Sequence, residues 1–566
     1  MRFMMKRILA LALTALTFSA GFLASAQDLD PTVEVSRAYE GKLMEVHKPV
    51  LAMAVPDSVM KFDLDFDYSI FESPYKGAYE FNPYAVSLTP SGDTYRPGRL
   101  YLRAGAGYAL HPVMDMVWSP HFKRRSFSID VHASHRSYFG EYEAVGGISE
   151  SDWKGADAKT DADVHMNCDW NSASLGIDVG YDNVYRSDFL DKGVYNALEA
   201  ALRMHSKSPW PDHFLYDIGV KYRYGYDNLS VGLREQNIEC EVVLGPVWKT
   251  KHKFLFDLGG EFAMYSGGID TMVGEISFAP HYVFTKGALK VDVGVLLSMM
   301  LRPDGQVVHY SAREQYIYPD MQIELALIPD AMKMYAELGG GNRINTYSSL
   351  LKRNHHFSYL WGRGRNEVFD TTVERFSGTL GFEGRIGNIF SYDLKGGYSD
   401  MRNAVLDAFA ADKTTDRTII LPSLGYASFR NAFARLGWRL DAECVCFDGM
   451  LSYNHVWDLP YQGGFFAPSE LEGDVSFVYN WRKRIFVGVD CTFALSRDAM
   501  LAFSPVESVA VTIPGYADLG VYAEYAALRR LSFWIRGGNL LNDTICRNVF
   551  YAEKGLHFTA GICLKI

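Results

Sequence analysis

The densest group of side chains that could bind a metal ion lies between residues 157 and 169. Carboxylate and imidazole groups at short spacing are ligands for divalent cations. The same residue types are typical of a solvated acidic loop, which is our interpretation, and we therefore predict no metal site. The side chains in question are Asp157, Asp161, Asp163, His165 and Asp169.

A second group of chemically capable side chains mixes cations with aromatic rings, between residues 343 and 365. A surface of this kind is suited to binding sugars, an anionic surface polymer or a partner lipoprotein. Large outer loops often have the same composition without a defined ligand, so we treat the group as a hypothesis for a ligand or partner loop. Its members include Arg353, His355, His356, Tyr359, Trp361 and Arg363.

Catalytic motifs are missing from the sequence. There is no GxSxG, HExxH or CxxC motif and no Ser/His/Asp spacing that would indicate a hydrolase. Enzymes whose catalytic groups converge only in three dimensions leave no such motif, so the sequence does not exclude one. We predict a non-enzymatic protein without catalytic residues, metal or cofactor.

The N-terminus has the three regions of a secretory signal peptide. Three cations within the first seven residues precede an apolar run, and small residues follow that run. The apolar run is short for a membrane-spanning helix. We predict that residues 1–26 are a signal peptide, cleaved between Ala26 and Gln27, and that the protein is exported.

Period-two alternation of apolar and polar residues recurs along the rest of the chain. In residues 214–224 every even position is Phe, Tyr, Ile or Val, whereas Asp217, Lys221 and Arg223 occupy odd positions. Helical spacing does not explain this pattern, and a two-faced β-strand does. One face is apolar over nearly the whole strand and the other has isolated charges, as lipid outside a barrel and water inside it require.

Composition also favours a membrane-spanning barrel. Aromatic residues make up 14% of the chain and there are 50 glycines, which aromatic girdles and sharp turns use. The net charge of -11 argues against nucleic acid as a partner. We predict an all-β fold, in which residues 98–566 form a large transmembrane antiparallel outer-membrane β-barrel of about 20–22 strands. We expect it to lie in the lipid bilayer of the outer membrane of a Gram-negative type of cell.

The connections between the predicted strands differ in length. Long polar stretches at about residues 140–170, 346–370, 402–416, 457–470 and 543–554 are predicted to be loops. Tight turns lie between them. Short turns at one end and long loops at the other are typical of outer-membrane barrels.

Residues 556–566 alternate to the final residue of the sequence. A strand of about 10 residues has the length that a tilted membrane-spanning strand needs, although an edge strand of a soluble β-sandwich would alternate in the same way. We expect this strand to pair with the first one, to close the barrel, and to be read by the outer-membrane assembly machinery. The apolar face of this closing strand includes Leu556, Phe558, Ile562, Leu564 and Ile566.

The residues before the closing strand resemble a known family. Gly538, Asn539, Leu540, Leu541 and Asn542, followed by a loop and a terminal strand, resemble the C-terminal end of TonB-dependent outer-membrane receptors. The resemblance implies transport of a nutrient or another solute across the outer membrane, with TonB as a partner.

Residues 27–97 depart from that family. They stand where the family has its plug domain, but about 70 residues with seven prolines are too short for it and predict an extended segment in the periplasm or the lumen. Residues 32–36 alternate in a way that could imitate a TonB box, which binds by strand addition, although short alternating tails are common. If the segment fills the lumen, deletion of residues 28–97 should raise conductance in planar bilayers.

Three hypotheses for function follow from these observations, and the one that no catalytic motif supports is an outer-membrane enzyme. The first is a transporter of a nutrient or another solute. The alternative is a barrel without a plug that acts as a scaffold or accessory subunit of an outer-membrane complex, with a lipoprotein as partner. Uptake that collapses with the proton gradient would indicate a transporter, whereas copurification with another outer-membrane protein would indicate a scaffold.

Overall fold

The structure is a computed structural model that describes residues 99–566. The predicted cleavage site between Ala26 and Gln27 and the predicted N-terminal segment 27–97 lie outside the described residues. The description also leaves out residues 109, 121, 123–125, 146–151, 188–191, 209, 211, 230–231, 302–314, 330, 359–368, 415–416 and 505–506.

The described part of the chain is almost entirely β-structure. It contains one helix, α1 (Tyr347–Arg353), among 24 strands. The strands are β1 (Leu100–Tyr108), β2 (Val113–Trp118), β3 (Phe127–Tyr142), β4 (Trp153–Asp169), β5 (Ala173–Ser187), β6 (Lys192–Ser206), β7 (His213–Asp227), β8 (Leu233–Trp248), β9 (His252–Gly267), β10 (Thr271–Lys286), β11 (Leu289–Leu301), β12 (Gln315–Ile328), β13 (Met332–Ile344), β14 (Thr371–Ile386), β15 (Phe390–Thr414), β16 (Arg417–Asp441), β17 (Val445–Trp457), β18 (Leu471–Trp481), β19 (Ile485–Ala494), β20 (Arg497–Ser504), β21 (Glu507–Ile513), β22 (Tyr516–Ala526), β23 (Leu531–Gly538) and β24 (His557–Lys565).

Twenty-two of these strands form one closed antiparallel sheet. Each strand from β1 to β18 pairs with the next along the chain, and β19 pairs with β22 because β20 and β21 form a separate hairpin. The last strand, β24, pairs with β1 in a register that runs from Tyr101 opposite Lys565 to Tyr108 opposite Phe558. The prediction of a large antiparallel barrel with about 20–22 strands is therefore confirmed, with 22 strands in the barrel.

The two faces of the barrel wall differ as the alternation predicts. On β7, Phe214, Val220 and Tyr222 are exposed on one face. Lys221 and Arg223 lie on the opposite face, where Lys221 Nζ is 3.1 Å from a Glu239 oxygen and Arg223 Nη1 is 2.6 Å from an Asp182 oxygen. The apolar face suits contact with lipid, and the ion-paired face lines the lumen.

The two ends of the barrel also differ. At the end where β24 finishes, the turns between strands have two to eight residues, and some are so tight that their residues adopt left-handed conformations, such as Lys249 with φ 49° and Thr250 with φ 57°. We call this the short-turn end. The opposite, long-loop end has the connection between β13 and β14, the hairpin β20–β21 and the connection between β23 and β24.

The prediction of loops at residues 140–170 and 402–416 is wrong in part, because many of these residues belong to strands. Residues 153–169 form β4, and residues 402–414 belong to β15. Ala156, Ala158 and Ala162 supply the apolar side of β4, so its alternation is present but its hydrophobicity is low. In β15 a bulge next to Asn403, which has φ 50°, interrupts the alternation.

Helices contribute little to this fold. Within the described residues, no helix has the length and apolar character needed to cross a membrane. The helix α1 belongs to the connection between β13 and β14, and its position defines the candidate functional site.

Candidate functional site at the long-loop end

Residues 345–358, which we call the lid segment, begin the connection between β13 and β14. The helix α1 starts after Thr346, whose side-chain oxygen accepts a hydrogen bond from the Ser349 amide at 3.2 Å. Leu350 and Leu351 on this helix are buried in a cluster with residues of the barrel wall. The helix therefore packs inward against the barrel instead of extending into solvent.

A buried ion pair anchors the start of the lid segment to one wall. Arg186 on β5 and Asp227 on β7 are 2.7 Å apart between Nη2 and Oδ2, and both side chains are almost completely inaccessible to solvent. The Tyr347 hydroxyl donates to Asp227 at 2.5 Å and accepts from Arg186 at 3.1 Å. Because all three groups are buried, loss of one partner would leave an uncompensated polar group in the interior.

A buried carboxylate forms the second anchor. The Glu235 side chain on β8 is 0% exposed and accepts hydrogen bonds from the Tyr195 and Tyr265 hydroxyls, at 2.9 and 3.1 Å. It also accepts from the Ser348 amide at 3.2 Å, while the Tyr265 oxygen accepts from the Tyr347 amide at 3.1 Å. Amide groups in the first turn of a helix have no partner within the helix, so the wall supplies it.

The end of α1 reaches a distant part of the wall. Arg353 donates to the backbone oxygen of Val405 on β15, and its Nη2 is 3.6 Å from an Asp407 oxygen. The same Asp407 side chain is 3.8 Å from Arg497 on β20. Tyr265, which contacts the start of the lid segment, lies on β9, and β15 is six strands further along the sheet. The lid segment therefore bridges parts of the wall that do not pair with each other.

Two histidines connect the lid segment to a third part of the barrel. The His356 ring stacks on Tyr551, which belongs to the connection between β23 and β24, with ring centroids 3.9 Å apart. His355 lies 3.9 Å from an Asp157 oxygen on β4 and 3.3 Å from the Asn548 amide nitrogen. Burial lowers the pKa of His355, and it lowers the pKa of His356 well below its ordinary value.

Neighbouring connections pack against the lid segment at this end. The hairpin β20–β21, the loop around Phe466 and the loop around Phe550 share one buried apolar cluster with Tyr551. Gly464 joins these elements, because its amide donates to the Met500 oxygen at 2.8 Å and its oxygen accepts from the Phe409 amide at 3.0 Å. The long-loop end is therefore a folded layer built by several connections, and the lid segment is part of it.

The sequence-predicted ligand loop is only partly described by the structure. Arg353, His355 and His356 lie in the lid segment and contact other parts of the barrel through the pairs given above. Tyr359, Trp361 and Arg363 lie outside the described residues. Sequence reasoning missed Arg186, Asp227 and Glu235, because isolated polar residues in strands look alike until their partners from other strands are known. It also missed Tyr347 on α1, whose partners lie on those strands.

The acidic residues between positions 157 and 169 have separate partners along β4. Asp157 accepts from Tyr142, Lys159 lies beside Asp161, and Asp169 is paired with Lys207. His132 lies 3.7 Å from Asp163, and His165 is paired with Asp178. Within the described ranges, no group of three or more His, Cys, Asp or Glu side chains is arranged to hold a metal ion.

Solved structures with a similar barrel include bacterial transporters and receptors. The FrpB iron transporter from Neisseria meningitidis has a TM-score of 0.60 at 9% identity, over 83% of this chain and 82% of that chain. The barrel has the fold of the TonB-dependent receptors. The copper transporter OprC has a TM-score of 0.58 at 11% identity, over 84% and 82% of the two chains. The siderophore receptor PirA from Acinetobacter baumannii has a TM-score of 0.58 at 9% identity, over 82% and 80%.

The likeness is one of fold and does not extend to sequence. No protein-family model matches this chain, and no curated protein sequence matches it. The similar solved structures are described as transporters and receptors, not as enzymes.

Proposed function

We propose that this chain is an outer-membrane β-barrel that transports a nutrient or another solute through its lumen, and that the lid segment gates the lumen at the long-loop end. The observation that carries the proposal is the position of the lid segment. It reaches from Asp227 and Glu235 on one part of the wall to Asp407 on another and to Tyr551 in a third. A segment that bridges non-neighbouring strands lies across the path of a solute.

The wall of the lumen supports the same proposal. Charges of both signs line it and neutralise each other across strands, as in the pairs Lys290–Glu324 at 2.6 Å and Arg536–Asp490 at 2.7 Å. A polar, hydrated lumen inside an apolar outer face is what passage of a water-soluble solute requires. The transporters with the same fold add support at the level of architecture, and TonB is the coupling partner that this fold suggests.

The scaffold hypothesis also has an observation in its favour. The lid segment is held by the buried Arg186–Asp227 pair and by the buried Glu235 carboxylate, and such contacts suit a permanently closed barrel. A closed barrel would serve as an accessory subunit that binds a lipoprotein or another outer-membrane protein. The two functions differ in one measurable property, which is whether the lumen can be opened.

A flux assay in liposomes distinguishes these functions. Reconstituted protein with Tyr347→Ala should pass arabinose several times faster than the unsubstituted protein, because the change removes the ring and hydroxyl that hold the lid segment to Arg186 and Asp227. The matched control is Tyr461→Ala, since that side chain is 77% exposed at the same end of the barrel. Equal, negligible flux in all three proteins, with the barrels folded as judged by heat-modifiable gel mobility, would contradict the lid segment as the gate. Negligible flux that persists after deletion of residues 28–97 as well would favour the scaffold and contradict the transporter.

A further inference from the structure

Two neighbouring turns at the short-turn end form a concentrated patch of positive charge. The turn between β18 and β19 contains three cations and the turn between β22 and β23 contains two, and all five side chains are exposed. We call this patch the basic rim. It consists of Arg482, Lys483, Arg484, Arg529 and Arg530.

Strand pairing brings the two turns together. The strand β19 pairs with β22, so Ile485 lies opposite Tyr525 and the Ala526 amide donates to the Arg484 oxygen at 2.8 Å. Neighbouring strands are about 4.8 Å apart, which places the centres of the two turns roughly 10 Å from each other. The five cations therefore act as one patch within about a Debye length.

The cations of the basic rim differ from those of the lumen in their partners. Lumenal cations face wall carboxylates, as Arg203 does with Asp217 at 2.8 Å. Among the residues that the structure describes, none of the five rim cations forms an ion pair with a carboxylate. Arg482 instead lies over the Trp481 ring at 5.6 Å. In a chain of net charge -11, the basic rim is thus a local positive surface whose cations have no described carboxylate within ion-pair distance.

Apolar side chains border the basic rim on the outer face of the barrel. Trp481 and Tyr525 are each about half exposed, and Leu528, next to Arg529 in the turn between β22 and β23, is 66% exposed. Tryptophan and tyrosine are typical of the level where the apolar band of a barrel meets the head groups of a membrane. A cation next to an exposed leucine at this level can contact a phosphate while the leucine contacts acyl chains.

We propose that the basic rim binds the anionic head groups of phospholipids in the leaflet at the short-turn end, with preference for lipids that have two phosphates, such as cardiolipin. Arginine donates paired hydrogen bonds to phosphate oxygens, and lysine adds a point charge. Trp481, Tyr525 and Leu528 hold the acyl chains of the same lipid against the barrel. The inference rests on the membrane placement of the barrel proposed above, and it does not depend on transport.

The choice of a lipid over a soluble anionic partner follows from the geometry. The apolar members of the site, Trp481 and Tyr525, are on the lipid-facing side of β18 and β22. An acidic protein or polymer in the periplasm would contact the cations but not this face. A phospholipid contacts both, because its phosphates and its acyl chains lie at these two levels.

Native mass spectrometry of the purified barrel with added lipids tests this proposal. We expect the unsubstituted protein to bind cardiolipin more tightly than phosphatidylcholine, and the pair Arg529→Gln and Arg530→Gln to reduce the cardiolipin affinity about tenfold. Substitution of all five rim cations by Gln should remove the preference. The matched control is Lys154→Gln with Lys192→Gln, which removes two exposed cations from the long-loop end and should change the affinity less than about twofold.

Two results would overturn the proposal. One is an equal cardiolipin affinity of the substituted and unsubstituted proteins. The other is an acidic protein that copurifies through the basic rim while lipid preference is unchanged, which would assign the surface to a protein partner. If the variant with five substitutions fails to fold, the variant with two substitutions still tests the proposal, because two exposed substitutions are a small change. Lipid binding and solute flux are measured separately, so a negative result for one proposal does not contradict the other.

Discussion

At the scale of single residues, a few buried polar groups hold the lid segment against the barrel wall. Arg186, Asp227 and Glu235 come from strands of one wall, and Tyr347 comes from the lid segment itself. Breaking a buried ion pair by removing one partner costs about 3–5 kcal/mol, whereas an exposed pair contributes about 1 kcal/mol or less. The stability of the lid segment should therefore respond to these residues far more than to surface charges.

Removal of one hydroxyl should loosen the lid segment without unfolding the barrel. Tyr347→Phe deletes the group that donates to Asp227 and accepts from Arg186, at a cost of about 1–3 kcal/mol. Amide hydrogen exchange of residues 347–357 should accelerate about fivefold or more, while exchange in β7 stays the same. The control is Tyr461→Phe, and equal exchange in the two variants would show that the Tyr347 hydroxyl does not hold the lid segment.

Acid should release the lid segment through its two histidines. Burial lowers the pKa of His355 and His356 in the folded protein, and the unfolded value is about 6.5. A folded-state pKa below the unfolded one gives stability that is present above about pH 6.5 and lost as the pH falls toward the folded value. Neighbouring charges act on the same groups, since Asp157 favours the charged form of His355 and Arg186 opposes it in both histidines.

Hydrogen exchange at two pH values checks this prediction. After correction for intrinsic rates, exchange in residues 347–357 should be faster at about pH 5 than at about pH 7.5. His356→Phe retains the stacking on Tyr551 and removes the titrating group, so the pH dependence should shrink in that variant. A pH dependence of the same size in His356→Phe would assign the effect to other groups.

Sequence alone identifies the lid segment only in part. Arg353, His355 and His356 stand out because cations and rings are concentrated there. Arg186 and Glu235 do not stand out, because a lumen-facing strand position is usually polar and the sequence does not reveal which ones a distant loop will bury. Contacts between residues far apart in the chain, such as Arg186 with Tyr347, follow only from the closed sheet.

At the scale of elements, the period-two alternation of apolar and polar residues is the most informative signal in the sequence. It predicts an antiparallel barrel of about 20–22 strands, because an apolar face opposite a polar face recurs at each spanning segment. The alternation does not reveal a strand where the apolar face has low hydrophobicity or where a bulge interrupts the strand. Alanines on the outer face of β4 made residues 153–169 look like an acidic loop, and the bulge beside Asn403 hid the extension of β15.

A charge on the outer face of the closing strand should be costly. Ile562 on β24 is exposed on that face, opposite Ala104 of β1, so Ile562→Arg places a cation in lipid at a cost of about 2–4 kcal/mol. The midpoint of urea unfolding in lipid vesicles should fall. The control is Ser128→Arg on the lumenal face of β3, which should leave the midpoint nearly unchanged. Equal effects would contradict the assignment of the two faces.

At the scale of the whole molecule, the barrel has two ends with different chemistry. The long-loop end is a folded layer in which the lid segment, the hairpin β20–β21 and the loop around Tyr551 share buried contacts. The short-turn end has the basic rim. From this asymmetry we expect the short turns to face the periplasm, because that is the arrangement of outer-membrane barrels. The lengths of the connections predict that orientation, but the packing of the long loops depends on contacts that no local pattern contains.

A barrel of this width needs an obstruction in its lumen to prevent leakage, and we propose that the lid segment is that obstruction. Barrels with 16–18 strands already leave an aqueous channel, so an unobstructed 22-stranded barrel would conduct ions. Asn345 and Asp370 are joined by a backbone hydrogen bond of 3.1 Å, so a short linker can replace everything between them. A variant with residues 346–369 replaced by about four Gly and Ser residues should therefore keep the barrel intact.

Conductance of that variant in planar bilayers is the most direct test. We expect a small current for the unsubstituted protein and a large, steady increase when residues 346–369 are replaced. Deletion of residues 28–97, alone and combined with the lid replacement, serves as the comparison. A current that rises only when residues 28–97 are removed, and not when the lid segment is replaced, would show that the lid segment is not the gate and would assign that role to the N-terminal segment.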